Sequence, residues 1–136
     1  MNCLSQYLGL KFSLLQVASD DNVSTIVFSK SGYHFATSHA AGAVRVWDIR
    51  KNKVLAELNV TGDKLLQSVT GLPFHPNGKC LAYGGDGGLN VVMVKEWTVT
   101  SVSDNTDATG LVWGSQWLAS ISNKTRPVIF HTEGIE

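Results

Sequence analysis

Two stretches of this 136-residue sequence decide its fold, because the second repeats the pattern of the first. Val27–Trp47 has the sequence VFSKSGYHFATSHAAGAVRVW, and Pro73–Met93 has the sequence PFHPNGKCLAYGGDGGLNVVM. Each stretch contains an apolar run, a turn that ends in glycine, a second apolar run, another turn with glycine and a third run. Corresponding residues recur at an offset of 46 positions.

A shorter third copy follows in Val112–Gly114, Trp117–Ser120 and Val128–Phe130. Short runs rich in β-branched and aromatic residues, bounded by Gly, Asn, Asp and Pro, predict β-strands joined by hairpins. A repeat of four strands in about 40–45 residues is typical of one blade of a β-propeller. The sequence therefore predicts an all-β fold, a partial propeller of about three blades.

The pattern predicts thirteen short strands with turn residues between nearly all of them. Their predicted positions are Cys3–Leu8, Lys11–Val17, Ser24–Phe28, His34–Ser38, Ala43–Ile49, Lys53–Val60, Val69–Phe74, Lys79–Tyr83, Leu89–Val94, Thr98–Ser103, Gly110–Trp113, Trp117–Ile121 and Val128–His131. Grouped by repeat, they predict the last strands of a preceding blade in 1–18, full blades in 19–62 and 63–104, and an incomplete last blade in 105–136.

A propeller needs about four to eight blades, so three blades leave apolar blade faces and sheet edges uncovered. Two arrangements would cover them. In the first, the chain is the C-terminal half of a seven-bladed ring, and the rest of a longer chain supplies the missing blades. In the second, another copy of the chain supplies them.

Composition narrows the classes of partner. Hydrophobic residues make up 43% of the chain and charged residues 16%, which indicates a folded protein. Eleven basic residues balance eleven acidic ones, so the sequence predicts neither direct nucleic-acid binding nor attraction to an anionic membrane. The two cysteines, Cys3 and Cys80, and the lack of a signal-peptide pattern indicate free thiols in a reducing compartment.

The end of the first copy, Gly42–Asp48, resembles the end of a WD40 repeat, and Val27–Gly32 and Phe35–Ser38 precede it at the matching spacing. In WD40 repeats the tryptophan belongs to a buried hydrogen-bonded set. Its other members are a Ser or Thr, an Asp in a turn and a His from the preceding loop.

The resemblance assigns the tryptophan to Trp47 and the hydroxyl to Thr37, with Asp48 next in the chain. Ala41 stands at the turn position that usually carries Asp, and no His occurs in the loop before Ser24. The hydrogen-bonded set is therefore expected to be incomplete, and Thr37, Trp47 and Asp48 are expected to have structural roles. Asp48 is expected to pair with Arg45 or Arg50.

A more specific resemblance covers roughly Ser24–Thr132. Cys80–Gly85 and Val91–Thr98 are similar to the penultimate blade of the pre-mRNA-processing factor 19 family, which has a Gly-Gly pair and a Lys/Gln-Trp-Thr segment in place of Trp-Asp. Thr109–Trp113 and Trp117–Ser120 are similar to the last blade of that family.

This resemblance implies a protein-interaction scaffold in a nuclear, spliceosome-associated complex, where the chain would be the C-terminal WD40 part of a splicing factor and ubiquitin ligase that docks partners or substrates. Members of the family carry ligase activity on an N-terminal U-box and tetramerise through a coiled coil, and these residues match neither. The alternative is a stand-alone WD40 adaptor, in the cytoplasm or elsewhere, that assembles a complex unrelated to splicing. Fold alone does not separate the two.

The residues predict no catalytic, cofactor-binding or metal site. Gly84–Gly88 lacks the Lys-Ser/Thr of a phosphate-binding loop and predicts a hairpin in which glycine supplies a positive φ. None of the histidines has ligand spacing with Cys, Asp or Glu. Those histidines are His34, His39, His75 and His131. Cys80 lies in an apolar strand and is expected to pack in the core.

Arg45, Lys95 and Trp97 are the predicted partner-binding residues. Trp97 follows Lys95 and Glu96 in the turn that leads to an outer strand, and it is expected to pack in the core. The alternative is a half-exposed side chain, since aromatic residues on blade edges can anchor a partner. Trp113 and Trp117 occupy the first and second strands of the last repeat, where burial is expected.

Overall fold

The computed structural model describes residues 22–40, 42–59, 65–66, 68–86, 88–103, 107–122 and 126–132. These ranges contain eleven β-strands: β1 (Val23–Phe28), β2 (His34–His39), β3 (Val44–Asp48), β4 (Lys53–Leu58), β5 (Val69–Gly71), β6 (Cys80–Gly85), β7 (Gly88–Met93), β8 (Val99–Ser103), β9 (Gly110–Trp113), β10 (Trp117–Ile121) and β11 (Val128–His131). None of these ranges contains a helix long and apolar enough to span a bilayer.

The strands form three antiparallel sheets in which each strand pairs with its neighbour in the chain. The first sheet contains β1–β4, the second β5–β8, and the third β9–β11. Antiparallel neighbours need only short hairpins, and the Gly-, Asn- and Ser-rich turns of the sequence supply them. This arrangement confirms the predicted all-β architecture.

The sheets stack face to face, and two apolar clusters fill the spaces between them. Ala36 and Val46 of the first sheet belong to one cluster with Leu81 of the second. Ala82 of the second sheet belongs to the other cluster with Leu118 of the third. Because successive side chains of a strand alternate between faces, each sheet contributes one set of residues to each neighbour.

We call the face that carries Phe35, Leu81 or Leu118 the preceding face of its sheet, and the opposite face the following face. Leu81 packs toward the first sheet and Leu118 toward the second. Phe35, Leu81 and Leu118 are equivalent, since each lies on the second strand of its sheet opposite an aromatic residue. That residue is on the first strand in the first and third sheets and just after the first strand in the second sheet. Those aromatic partners are Phe28, Phe74 and Trp113.

The observed strands lie close to the predicted ones, apart from β5, which is shorter than the predicted Val69–Phe74. Pro73 has no N–H to donate, so regular pairing stops before it. Phe74 then makes only an isolated bridge to Leu81. The predicted strands Cys3–Leu8 and Lys11–Val17 lie outside the described residues, as do the predicted boundaries between blades at 18/19, 62/63 and 104/105.

The glycines of the β6–β7 hairpin were predicted to supply a positive φ, but the structure shows a different role for Gly85. Gly85 pairs with Gly88 across the turn, but positive φ among the described glycines occurs at Gly32, Gly42 and Gly78. A glycine is required at position 85 because the backbone of Ser68 comes very close to it, and a Cβ there would overlap the carbonyl oxygen of Ser68. The prediction of a hairpin is confirmed, and the prediction of positive φ is wrong for the glycines of this hairpin that the structure describes.

Candidate protein-binding surface

The first sheet contains a buried hydrogen-bonded set on its preceding face. The indole Nε1 of Trp47 donates to the hydroxyl oxygen of Thr37 at 3.0 Å, and the same oxygen lies 2.9 Å from Nε2 of His39. All three side chains are buried. His39 lies two residues after Thr37 on β2, so the histidine comes from the strand itself and not from the preceding loop, where WD40 repeats carry it.

The second and third sheets lack this set because other residues stand at its positions. Register places Val92 opposite Leu81 and Phe130 opposite Leu118, as Trp47 stands opposite Phe35. The 46-residue offset would have matched Trp47 with Met93, and that match is wrong. The β6–β7 hairpin is one residue shorter than the β2–β3 hairpin, so the offset falls to 45 beyond the turn.

Asp48 closes the turn after β3, and Arg50 is its ion-pair partner. Its carboxylate accepts hydrogen bonds from the backbone N–H groups of Arg50 and Lys51 and lies 3.3 Å from the guanidinium of Arg50. Burial opposes the charged form, but these hydrogen bonds outweigh it and lower the pKa of the Asp48 carboxyl. Asp48 therefore fixes a turn, and of the two arginines considered, Arg50 is the one that pairs with it.

The predicted partner-binding residues do not share one surface. Arg45 stands opposite Thr37 on the preceding face of the first sheet, where its guanidinium lies 3.4 Å from Glu57. Trp97 packs against the apolar cluster on the other side of that sheet and meets the ring of His34 edge-on at 6.2 Å. The body of the first sheet therefore separates Arg45 from Trp97.

Lys95 is exposed in the turn between β7 and β8. Its φ of 91° and the φ of 56° at Trp97 both lie in the left-handed region that favours glycine. Trp97 packs against the apolar cluster between the first and second sheets, which fits the core packing expected for that residue.

A hollow of about 740 Å³ opens where the turns between the first and second strands of all three sheets meet. We call it the inner-turn hollow. Its lining comprises Lys30 from the first sheet, His75, Pro76 and Asn77 from the second, and Trp113, Gly114, Ser115 and Gln116 from the third. Among these residues Lys30 carries the one permanent charge, and Pro76 and Trp113 have apolar rings.

His75 fastens two of these turns together. Its Nδ1 accepts a hydrogen bond of 3.1 Å from the backbone N–H of Asn77. The proton of the neutral ring is therefore on Nε2, which donates to the carbonyl oxygen of Ser115 at 3.0 Å. Because both ring nitrogens are engaged and the side chain is buried, His75 holds the second and third sheets in one relative position.

Trp113 makes a second connection between these sheets. Its Nε1 donates to the carbonyl oxygen of Pro73 at 3.0 Å, and its ring meets the His75 ring edge-on at 4.9 Å. The walls of the inner-turn hollow are thus fixed by hydrogen bonds before any partner arrives, which lowers the entropic cost of binding. The match between Ser29 and His75 in the two repeats placed both turns at equivalent positions, but no sequence signal placed Ser115 beside His75.

The other singled-out residues are distributed through the core and surface. Trp113 is buried as expected, but Trp117 is 48% exposed, which contradicts the expected burial. Trp117 lies on the following face of the third sheet, over which no described strand packs. Cys80 is buried and free, and burial raises the pKa of its thiol to about 11. No group of three or more His, Cys, Asp or Glu side chains in the described ranges is arranged to hold a metal ion.

Comparison with known proteins shows the fold. No family model and no curated protein matches the sequence. Among solved structures, the β-propeller domain of Myceliophteria thermophila Cps50 (Swd1) aligns with a TM-score of 0.74 at 16% identity over 89% of this chain. The WD40 repeats of RRP9 align with a TM-score of 0.75 and U3-55K with 0.74, each at 13% identity over 87% of this chain.

The fold is therefore a partial WD40 β-propeller. The chain spans 39% of the length of the Cps50 domain and 38% of the length of the other two. At these identities the similarity establishes the architecture alone.

Proposed function

We propose that the chain is a protein-interaction scaffold that docks an extended peptide segment of a partner in the inner-turn hollow. The observation that carries the proposal is the convergence of turns from three successive sheets on one open site whose walls His75 and Trp113 hold in place. Ligand sites in proteins are commonly concave, largely apolar and pre-formed, with a few polar groups that set orientation.

The lining specifies the chemistry of the segment. Lys30 would attract a carboxylate or a phosphate at one end of the hollow. Pro76 and Trp113 would accept an apolar side chain, and Asn77 and Gln116 would hydrogen-bond the backbone of an extended peptide. The segment expected here carries an acidic residue next to an apolar one.

We further propose that the scaffold works in a nuclear, splicing-associated assembly of the pre-mRNA-processing factor 19 kind. The support is the unusual sequence of the second sheet, with Cys80–Gly85 on β6 and Val91–Thr98 from β7 into the next turn. In such an assembly the ligase chemistry would belong to a U-box, and these residues would dock partners or substrates. The alternative is a WD40 adaptor of another complex, which would use the same hollow for a different peptide.

Affinity purification from nuclear extract with quantitative mass spectrometry tests both proposals, docking in the inner-turn hollow and work in a splicing-associated assembly. The tagged chain is compared with Lys30→Glu and with a matched control, Lys53→Glu, which alters an exposed lysine at the start of β4. We expect spliceosomal proteins among the partners, and we expect about tenfold less recovery with Lys30→Glu only, since tenfold corresponds to about 1.4 kcal/mol.

The outcomes separate docking in the hollow from the splicing assignment. Equal loss or equal retention with both variants would contradict docking in the hollow. Selective loss with Lys30→Glu of partners unrelated to splicing would support the hollow and replace the splicing assignment with the adaptor alternative.

A further inference from the structure

The hairpin turns at one end of the stack of sheets are basic. Because neighbouring strands are antiparallel, the turn after the first strand of each sheet lies at this end, as does the turn after the third strand of the first two sheets. These turns contain five cations and one carboxylate, which belongs to Glu96. We call them the basic end surface, and its cations are Lys30, Arg50, Lys51, Lys79 and Lys95.

The cations of the basic end surface face solvent with little neutralisation. All five residues are exposed. Arg50 pairs with the buried carboxylate of Asp48, and Lys53 at the start of β4 adds a further cation beside the turns. Within the described ranges, no carboxylate lies within ion-pair distance of a lysine. Clustered cations without partners create a positive surface potential that attracts polyanions.

The opposite end of the stack has no such excess of cations. In the part of the chain that the structure describes, the charged residues of its turns are Asp86, Asp107 and Arg126. The formal net charge of +0 for the whole chain therefore averages over unequal surfaces. The expectation that the chain does not bind nucleic acid rested on that average, so it does not apply to the basic end surface.

Contacts between the turns hold this surface together. In the first sheet, the backbone N–H of Ile49 donates to the carbonyl oxygen of Tyr33 at 2.9 Å and so joins the two turns of that sheet. The rings of Trp97 and His34 meet edge-on, which places the β7–β8 turn beside the same end of the first sheet. The cations of the first and second sheets therefore form one continuous surface.

An exposed aromatic ring lies among these cations. Tyr33 is 50% exposed, and the guanidinium carbon of Arg50 lies 4.2 Å from the centre of its ring. Proteins that bind single strands combine a positive surface, which follows the phosphates, with aromatic and guanidinium planes on which bases stack. An acidic peptide would use the cations but has no bases to stack. The combination therefore favours a nucleic acid over an acidic peptide.

We propose that the basic end surface binds single-stranded nucleic acid, with phosphates against its lysines and a base stacked beside Tyr33 and Arg50. This binding is separate from peptide docking in the inner-turn hollow, although Lys30 belongs to both. It does not depend on the proposed function, and its test leaves Lys30 unchanged.

Fluorescence anisotropy of a labelled oligouridine of about 16 nucleotides, titrated with the 136-residue chain, measures the binding. Single strands release about 0.7 counterion for each phosphate contacted. Five contacts therefore predict that the affinity falls about a hundredfold between about 50 mM and about 200 mM salt. Absence of binding at the lower salt concentration would overturn the proposal.

Charge-reversal variants test the place of binding. Lys51→Glu and Lys95→Glu should each weaken binding about tenfold at the lower salt concentration, because each removes one phosphate contact. Arg126→Glu is the matched control, since it makes the same change of charge at the opposite end of the stack. Circular dichroism checks that each variant folds, and Lys79→Glu replaces either lysine variant that does not. Equal loss with Arg126→Glu would overturn the proposal.

Tyr33 distinguishes a nucleic acid from an acidic protein segment. Tyr33→Leu should weaken oligouridine binding about tenfold because it removes the stacking ring, whereas Tyr33→Phe retains the ring and should bind as the unchanged protein does. Polyglutamate of equal total charge is the competitor and should displace the oligonucleotide poorly. Displacement at equal concentrations of charge, together with no effect of Tyr33→Leu, would overturn the proposal in favour of an acidic protein partner.

Discussion

The indole Nε1 of Trp113 on the third sheet donates a 3.0 Å hydrogen bond to the carbonyl oxygen of Pro73, which precedes β6 of the second sheet. The same carbonyl oxygen accepts the backbone N–H of Ala82 at 2.9 Å. One oxygen therefore satisfies a bond within its own sheet and a bond to the next one, as its two lone pairs allow. This shared oxygen therefore helps to fix the position of the third sheet relative to the second.

Replacing Trp113 by Phe should destabilise the protein by about 1–3 kcal/mol, because the inter-sheet hydrogen bond and part of the ring packing are lost. Trp117→Phe is the matched control, and it should change the free energy of unfolding by no more than about 0.5 kcal/mol, since Trp117 is half exposed. Urea denaturation followed by circular dichroism measures both. Equal effects of the two substitutions would contradict the structural role of Trp113.

Trp47 and Thr37 should be energetically coupled. A double-mutant cycle with Trp47→Phe and Thr37→Val should give a coupling free energy of about 1 kcal/mol, because either substitution alone removes the same buried hydrogen bond. The matched control uses the equivalent positions of the third sheet, with Phe130→Leu and Ser120→Ala. No indole links that pair, so its coupling should be close to zero.

Gly85→Ala should cost about 2–3 kcal/mol of stability, since the new Cβ would lie 1.8 Å from the Ser68 carbonyl oxygen and the backbone must shift. Gly114→Ala is the matched control. Its Cβ would meet no atom closer than 3.7 Å, so its melting temperature should stay near that of the unchanged protein. The difference in melting temperature between the two variants is the quantity to measure, and no difference would contradict the close approach at Gly85.

Cys80 should resist alkylation in the folded protein and should make stability fall at high pH. Burial raises the pKa of its thiol from 9.0 to about 11, so the folded state retains a proton that the unfolded state loses between these values. The contribution is complete below pH 9 and is lost as the pH rises through 11. Burial also raises the pKa of Tyr83, which acts in the same direction.

The alkylation experiment uses a Cys3→Ser background, so that Cys80 is the one thiol in the chain. Iodoacetamide at pH 8 should label it only after denaturant is added. The stability measurement compares the same background with a Cys80→Ala variant between pH 9 and pH 11, where the variant should show the shallower decline. Rapid labelling of the folded protein would contradict the burial of Cys80.

The sequence predicted the strands well because short apolar runs between glycine-rich turns leave few alternatives. It identified Trp47 and Thr37 as a bonded pair through the spacing of a known repeat. The resemblance did not predict His39, because WD40 repeats carry that residue in the preceding loop, whereas here it lies on the same strand as Thr37. The match of Trp47 with Met93 failed because the β6–β7 hairpin is one residue shorter than the β2–β3 hairpin. A one-residue change in a hairpin moves every later side chain to the other face of the sheet.

Contacts between sheets were the part that the sequence could not supply. The hydrogen bond from His75 to Ser115 joins residues 40 positions apart, and no local pattern encodes it. Trp117 was expected to be buried because the equivalent strand of a complete propeller is covered on both faces. Its exposure follows from the end position of the third sheet, which is a property of the stack rather than of the residue.

Site-specific photo-crosslinking tests directly whether partners dock in the inner-turn hollow. A photoreactive amino acid replaces Gln116 in the hollow or, as the control, the exposed Thr100 on β8. We expect the residue at position 116 to form crosslinks to an acidic, apolar segment of a partner protein in nuclear extract. Lys30→Glu should abolish these crosslinks, and the residue at position 100 should form none to that segment. Crosslinks of equal yield at both positions, or crosslinks from position 116 that persist with Lys30→Glu, would contradict docking in the hollow.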